Sequence, residues 1–448
     1  MSETRHIAQH ALTVLIGQLA VMAFGIADTV IAGHHSPQAL ATLSIASSIF
    51  VSVYVALNGL IQALLPVWAR LLGAGQLRDI GRSVRQALYI GLGASLLGTA
   101  VLACPDPWLR ATEVPTAFWP EVRQYMQVLA LAVWPSLMFR MYGTLNQSLG
   151  MPRLVTALQT LALLIKIPLS YGLTLGLGPW PGMGIIGCAW ATLITQSLMM
   201  GTAVWLVARS PVYRPYQLWQ RMERMDAAQI REFLRLGIPA GLSILVEVTS
   251  FTLMSLFIAR QGAVASASHQ IASSLAALLY MVPLALGIAT SARTGFWIGA
   301  HRMDRARHAI RVGLLMALGL ALLCSASLWL GREWVARAFT ADQAVALAAA
   351  VWLGVVAFYH LADALQAVCI FVLRCFGITL MPLLIYAGFL WGLGLMGGYL
   401  LAYHGLAGMP ARPQVDSFWM TSSGALLCVS LIFLGLVWHA ARPRVHRT

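Results

Sequence analysis

The sequence predicts an all-α integral membrane protein: twelve transmembrane helices in two six-helix bundles, related by a pseudo-twofold along the membrane normal. Three observations lead there. Of 448 residues, 59% belong to the hydrophobic set and only 10% are charged, against about a quarter charged in a typical soluble domain. The apolar residues gather into blocks of roughly 20 to 28, each long enough to cross a hydrocarbon core of about 30 Å as a helix. The second half of the chain also repeats the first in a single register.

Read against glycine, proline and charge punctuation, the blocks place spans at approximately 7–32, 40–68, 86–104, 124–149, 154–176 and 184–208 in the first half, and at approximately 237–259, 268–292, 310–330, 346–373, 380–402 and 419–440 in the second. The first block overruns the length of a signal-peptide core and lacks a small-residue cleavage site, so it reads as a span. One long polar connection interrupts the series. The expected organisation is an N-terminal lobe, 1–208, a cytoplasmic linker, 209–236, that tethers it, and a C-terminal lobe, 237–448. The six cysteines lie in or beside spans without a CxxC pair and read as small apolar packing residues.

An even number of spans puts both termini on one side. Loops on that side carry twenty-one arginines, from Arg5 to the group Arg442, Arg444 and Arg447, and the opposite loops carry six: Arg110, Arg123, Arg260, Arg332, Arg337 and Arg412. This asymmetry places both termini in the cytoplasm. The net charge of +14 is therefore a topology signal, and no nucleic-acid partner is expected.

The repeat is read residue by residue. Ile45-Ala46-Ser47-Ser48 recurs as Ile271-Ala272-Ser273-Ser274, Gly73-Ala74 as Gly299-Ala300 and Arg85 as Arg311, all 226 residues on; Gly150 and Gly377 differ by 227. An offset of six spans keeps both halves in the same membrane orientation, a parallel repeat in place of an inverted one.

Three acids fall well inside apolar blocks: Asp28, Glu247 and Asp363. Each costs roughly 2.5–3.5 kcal/mol at a helix centre, and such residues usually serve ions, protons or cationic ligands. Lys166, the only lysine, sits in the fifth span and can pair with Asp28. The second half has no comparable buried cation, because Arg374 near the end of span ten can snorkel. Glu247 and Asp363 are thus the better candidates for a coupling cation. Tyr359 lies one helical turn before Asp363, and Tyr280 lies in span eight; either can offer an oxygen or a ring face. Ser48, Asn58, Thr249 and Ser250 read either as cavity polars or as helix-packing groups. At the 226-residue offset Asp28 corresponds to Met254, Glu247 to Val21 and Asp363 to Leu137. The halves share a scaffold and differ in their acids.

Several segments resemble a known family. Gly25-Ile26-Ala27-Asp28-Thr29-Val30-Ile31-Ala32-Gly33 is similar to the first-helix signature of multidrug and toxic compound extrusion (MATE) transporters of the NorM-like branch. Gly73-Ala74-Gly75, Val246-Glu247-Val248-Thr249 and Asp363-Ala364-Leu365-Gln366 look like further signatures, and the likeness covers essentially the whole chain. It implies a monomeric antiporter in the bacterial inner membrane that exports small organic cations in exchange for Na⁺ or H⁺, with no other cofactor. It also implies that Glu247 and Asp363 bind the coupling cation, that Tyr359, Tyr280 and Gln270 line that site or the adjacent cavity, and that Asp28 serves proton coupling or substrate binding. One departure stands out: where relatives often carry asparagines in an N-x-P-L-N pattern, this chain has Lys166-Ile167-Pro168-Leu169-Ser170. Ser48 and Lys166 are grouped with Asp28 and Gln270 on the cavity side.

Two other function classes fit the residues less well. A flippase for lipid-linked precursors commonly needs basic residues in its cavity, and the spans offer only Lys166 and Arg140. A membrane-embedded enzyme finds no HExxH, GxSxG or P-loop, and buried histidines such as His360 form no zinc-like cluster.

Overall fold

The structure is a computed structural model that describes residues 2–111, 115–177, 180–405, 411 and 414–442. Arg412, Arg444 and Arg447, which entered the charge comparison, lie outside the described residues. Among the described residues, twelve helices are long and apolar enough to cross a membrane. They are α1 Glu3–His35, α2 Pro37–Gly73, α3 Leu77–Ala103, α4 Thr116–Ser148, α5 Pro152–Leu175, α6 Ile186–Arg209, α7 Ala227–Ala259, α8 Ala263–Gly299, α9 Met303–Phe339, α10 Gln343–Cys375, α11 Leu380–Tyr403 and α12 Val415–Ala440. Several overrun their apolar blocks by more than a turn, because capping chemistry ends a helix and hydropathy does not. Ser36 illustrates this at the start of α2: its hydroxyl accepts from the Ala39 amide at 3.0 Å, with Pro37 at the first helical position. Outside the helices, residues 176–177 pair antiparallel with 180–181.

The repeat is conformational as well as sequential. Gly75, Gly150, His301 and Gly377 all adopt left-handed backbone, with φ of 72, 73, 56 and 74°. Each closes the same helix end: the Gly75 amide bonds Leu72 O and the Gln76 amide bonds Leu71 O, and the other three sites repeat the pattern. This is the Schellman arrangement. Gly75 and His301 are 226 residues apart, and Gly150 and Gly377 are 227 apart. For α4 and α10 the caps therefore set the register at 227, which puts Ser136, and not Leu137, opposite Asp363.

The helices form two compact units, one of Leu12–Gly241 and one of Met1–Ala11 with Leu242–Thr448. In the first, α4 is central and packs against α2, α3 and α6; in the second, α10 takes the same role against α8, α9 and α12. The start of α1 belongs to the second unit, where Glu3 accepts two hydrogen bonds from Arg293 (2.6 and 2.9 Å) and one from Trp297 (3.3 Å).

The connection after α6, expected as a tether, packs onto the first unit. The Tyr213 hydroxyl donates to Asn146 at 2.7 Å, Arg85 donates to Gln217 O and Glu223, and Tyr89 donates to Glu223 O. Polar backbone leaving a helix needs partners, and the α3 and α4 side chains supply them. Gly81 lets the strap cross α3, since a Cβ there would collide with the Tyr216 carbonyl.

Candidate cation and substrate sites

The second unit gathers its acids around the central helix. Tyr359, Asp363 and Gln366 follow one another on one face of α10. Tyr359 and Asp363 are buried, at 6% and 4% exposure. Gln366 Nε2 donates to Asp363 Oδ1 at 3.0 Å, and Glu247 on α7 lies near the same side chain. The Tyr386 hydroxyl of α11 donates to Gln366 Oε1 and fixes the amide from behind. Glu247 and Asp363 lie within electrostatic reach of each other. Tyr280 on α8 and Tyr359 lie within reach of both acids. Among the described residues neither acid has an ion-pair partner in contact. A Na⁺ held here would take two carboxylates and complete its shell with neutral oxygens; a proton would need one carboxylate alone.

Glu247 opens onto a small pocket lined also by Ser250, Phe251, Met254, Tyr359, Leu390, Leu395 and Ser422. Tyr359 meets Phe251 and Trp419 edge-on, with ring centroids 6.0 and 5.7 Å apart. Such edge-to-face pairs are the favoured aromatic arrangement and fix the Tyr359 ring beside the pocket. Leu390 and Leu395 belong to a π-helical stretch, Ala387–Met396, inside α11. Such wider turns recur at functional sites. Trp391 of the stretch donates to Val246 O and to Thr249 at 3.2 Å each, tying α11 to the turn that carries Glu247. Thr249 and Ser250 also bond back to α7 carbonyls, as packing hydroxyls do.

Arg374 departs from expectation. It does not snorkel: it is 3% exposed and stacks over Phe371 at 4.7 Å. Its neighbours in the electrostatic sense are Tyr280, Tyr386 and Glu247. A side chain leaving a helix leans toward the N-terminus, so Arg374 is drawn inward from the end of α10 instead of outward to the interface.

The first unit treats its acid differently. Lys166 Nζ donates to both oxygens of Asp28, at 3.0 and 2.8 Å, and to Thr192 at 2.8 Å. Ser170 adds a bond to Asp28 Oδ1 at 3.0 Å. The pair expected from the lone lysine is formed, and Lys166 is 1% exposed.

Other expected residues stand apart from both clusters. Gln270 is exposed and its amide reaches Ser274 at 3.5 Å, one turn along α8. Its neighbour His269 turns inward and bonds Ser255 at 2.8 Å. Ser48 is exposed and donates to Ser44 O at 2.8 Å. Asn58 is half-buried, and its Oδ1 has no partner among the described residues. Three members of the site were not singled out from sequence. Gln366 stood inside a quoted motif, three residues from Asp363, and that spacing was its signal. Tyr386 had no signal, because it arrives from another helix. Arg374 had one that pointed the wrong way, its place at a helix end.

Comparison with known proteins follows the same outline. The MatE family model matches residues 14–172 and 239–400, one segment in each half of the repeat. A probable multidrug resistance protein NorM from Aromatoleum aromaticum is 37% identical over 427 residues, covering 95% of this chain and 91% of its own length. Multidrug resistance protein PmpM from Pseudomonas aeruginosa is 31% identical over 439 residues, covering 96% and 91%. The fold is similar to that of the Vibrio cholerae MATE transporter VcmN in its bent form, with a TM-score of 0.85 at 20% identity over 98% of this chain and 97% of that one.

Proposed function

The chain belongs to the MatE family, and from that premise we propose that it is a cation-coupled antiporter that exports organic-cation drugs in exchange for Na⁺ or H⁺. It is a multi-span membrane protein, which this reading places in the bacterial inner membrane with both termini in the cytoplasm. One observation carries the coupling assignment: Glu247 and Asp363 lie within electrostatic reach of each other beside Gln366 and lack a contacting cationic partner among the described residues, and Glu247 opens onto a pocket that Phe251 and Tyr359 also line.

A buried carboxylate pair without a counter-ion is unfavourable when both members are charged. Binding a cation relieves that cost, so occupancy and conformation become linked. A ligand shifts a two-state equilibrium only by its difference in affinity for the two states. Cation binding at Glu247 and Asp363 favours the drug-releasing outward state, and cation loss favours the drug-accepting inward one. The names of the relatives, which specify multidrug resistance, support export of varied substrates. An acidic cavity with ring faces suits flat organic cations by charge and by cation–π attraction.

Ethidium efflux from proteoliposomes, driven separately by a Na⁺ gradient and a pH gradient, tests the reading and identifies the ion. Purified Glu247→Gln and Asp363→Asn are expected to lose gradient-driven efflux. Undiminished efflux by the doubly neutralised protein would remove the coupling site from these residues.

A further inference from the structure

The strap after α6 has two sides, and the first unit occupies only one of them. On the inner side Tyr213 and Leu218 are buried. Glu223 accepts from Arg85 at 2.7 Å and Asp226 from Arg82 at 3.4 Å, while Gln86 donates to Arg224 O and accepts from the Asp226 amide, at 2.9 Å each. The outer side runs in a repeat of three. Trp219, Met222 and Met225 are 68%, 44% and 59% exposed, and Arg221 and Arg224 stand exposed between them. Both acids of residues 209–226 are held by α3 arginines, so the charge left outside is positive. Arg209, Arg214, Arg221 and Arg224 are exposed, and their guanidinium groups have no hydrogen-bond or ion-pair partner among the described residues. The strap also lies at a defined level. It meets α3 between Gly81 and Tyr89, where the apolar block of that span begins, and α4 at Tyr142 and Asn146, near the end of its block. A border between apolar and polar segments is the level of the lipid headgroups.

We propose that the outer side of this strap is a binding surface for anionic phospholipids of the adjoining leaflet. Trp219, Met222 and Met225 enter the headgroup region, and Arg209, Arg214, Arg221 and Arg224 bind the phosphates. Each part suits its task. Tryptophan settles at the boundary between hydrocarbon and water, and a guanidinium is weakly hydrated and presents paired donors that match phosphate oxygens. Basic residues beside an anionic surface add their attractions. An acidic protein would satisfy the arginines as well, but it would approach from water. A row of tryptophan and methionine level with the headgroups is the composition of a surface in contact with lipid. The inference holds whichever ion drives transport, and it gives part of the arginine excess a ligand.

The test places the full chain in bilayer nanodiscs of equimolar phosphatidylcholine and phosphatidylglycerol, with a photo-crosslinking benzoylphenylalanine in place of Met222 and adducts identified by mass spectrometry. Lipid adducts are expected, with phosphatidylglycerol exceeding phosphatidylcholine by about tenfold or more, a preference that two arginines acting together already supply. Changing Arg209, Arg214, Arg221 and Arg224 to glutamine should bring the ratio to about one, whereas changing all four to lysine should keep most of the preference, because the charge remains. The four side chains are exposed and make no internal bond, so melting in detergent is expected to match wild type. If the four-glutamine chain does not fold, Arg221→Gln alone, expected to lower the ratio several-fold, carries the same comparison. Absence of lipid adducts overturns the inference, as does equal labelling of the two lipids or a preference that survives the loss of the arginines.

Discussion

Asp28 in the first unit and Asp363 in the second are buried to similar depth, 7% and 4% exposed, and their surroundings could hardly differ more. Asp28 meets a lysine, a serine and, through the lysine, a threonine. Asp363 meets an amide and lies within electrostatic reach of a second acid. Under the coupling proposed above, depth of burial is therefore not what separates the two acids. The decisive quantity is the sum of charge in its cluster: near zero around Asp28, negative around the Glu247–Asp363 pair. A neutral cluster gives a mobile cation nothing to balance, whereas a negative one changes its energy each time a cation arrives or leaves.

The comparison is broken most directly at Lys166. Lys166→Ala leaves Asp28 buried without its counter-ion and is expected to destabilise the protein by about 3–5 kcal/mol, read as a lower melting temperature in detergent. Adding Asp28→Asn should recover most of that loss, and Asp28→Asn with Lys166 intact should harm expression more than the double change does. Strictly additive effects would dissolve the pair. Next in size, Glu247→Gln and Asp363→Asn are expected to reduce coupled efflux by about tenfold or more, equivalent to about 1.4 kcal/mol, while melting stays level or rises. A collapse in stability instead would make the second cluster structural, like the first. Gln366→Ala removes a neutral hydrogen-bond donor, and a several-fold weaker response to the cation gradient is expected, in keeping with about 1–2 kcal/mol for a bond to a charged group.

An exposed ion pair supplies the smallest effect and the reference point. Arg123 donates two bonds of 2.7 Å to Asp106 at the surface. The hydrogen bond from Arg123 holds the Asp106 carboxyl below its ordinary range. Any stability it contributes is complete above the ordinary carboxylate pKa and fades as pH falls through the lowered value. Asp106→Asn should leave efflux and melting at neutral pH unchanged within error, because solvent screens such pairs.

Much of this was readable from residue order. Span count, the repeat and the Asp28–Lys166 pairing rest on hydropathy, spacing and a single lysine, and the structure carries all three. Glu247 and Asp363 were legible for a thermodynamic reason: acids are too costly in apolar helices to go unnoticed. The errors have a common origin in helix rotation and in contacts between helices. Gln270 and His269 are adjacent, and about 100° of rotation per residue sends one outward and the other onto Ser255. Arg374 at a helix end could lean either way, and its packing over Phe371 inside the bundle decides. Tyr386 reaches Gln366 from α11, and no pattern along one helix announces a partner on another.

The placement of Glu3 against Arg293 and Trp297 bears on how the chain is made. A ribosome delivers the N-terminus first, so residues 12–241 are in hand, strap included, before most of the second unit has been synthesised. That second unit is completed by Met1–Ala11, which are made before it and must wait through the insertion of some six further helices for Arg293 to appear. A tag or deletion at the N-terminus should disturb the last half to be built more than the first, and pulse-chase assembly of such chains would show the delay.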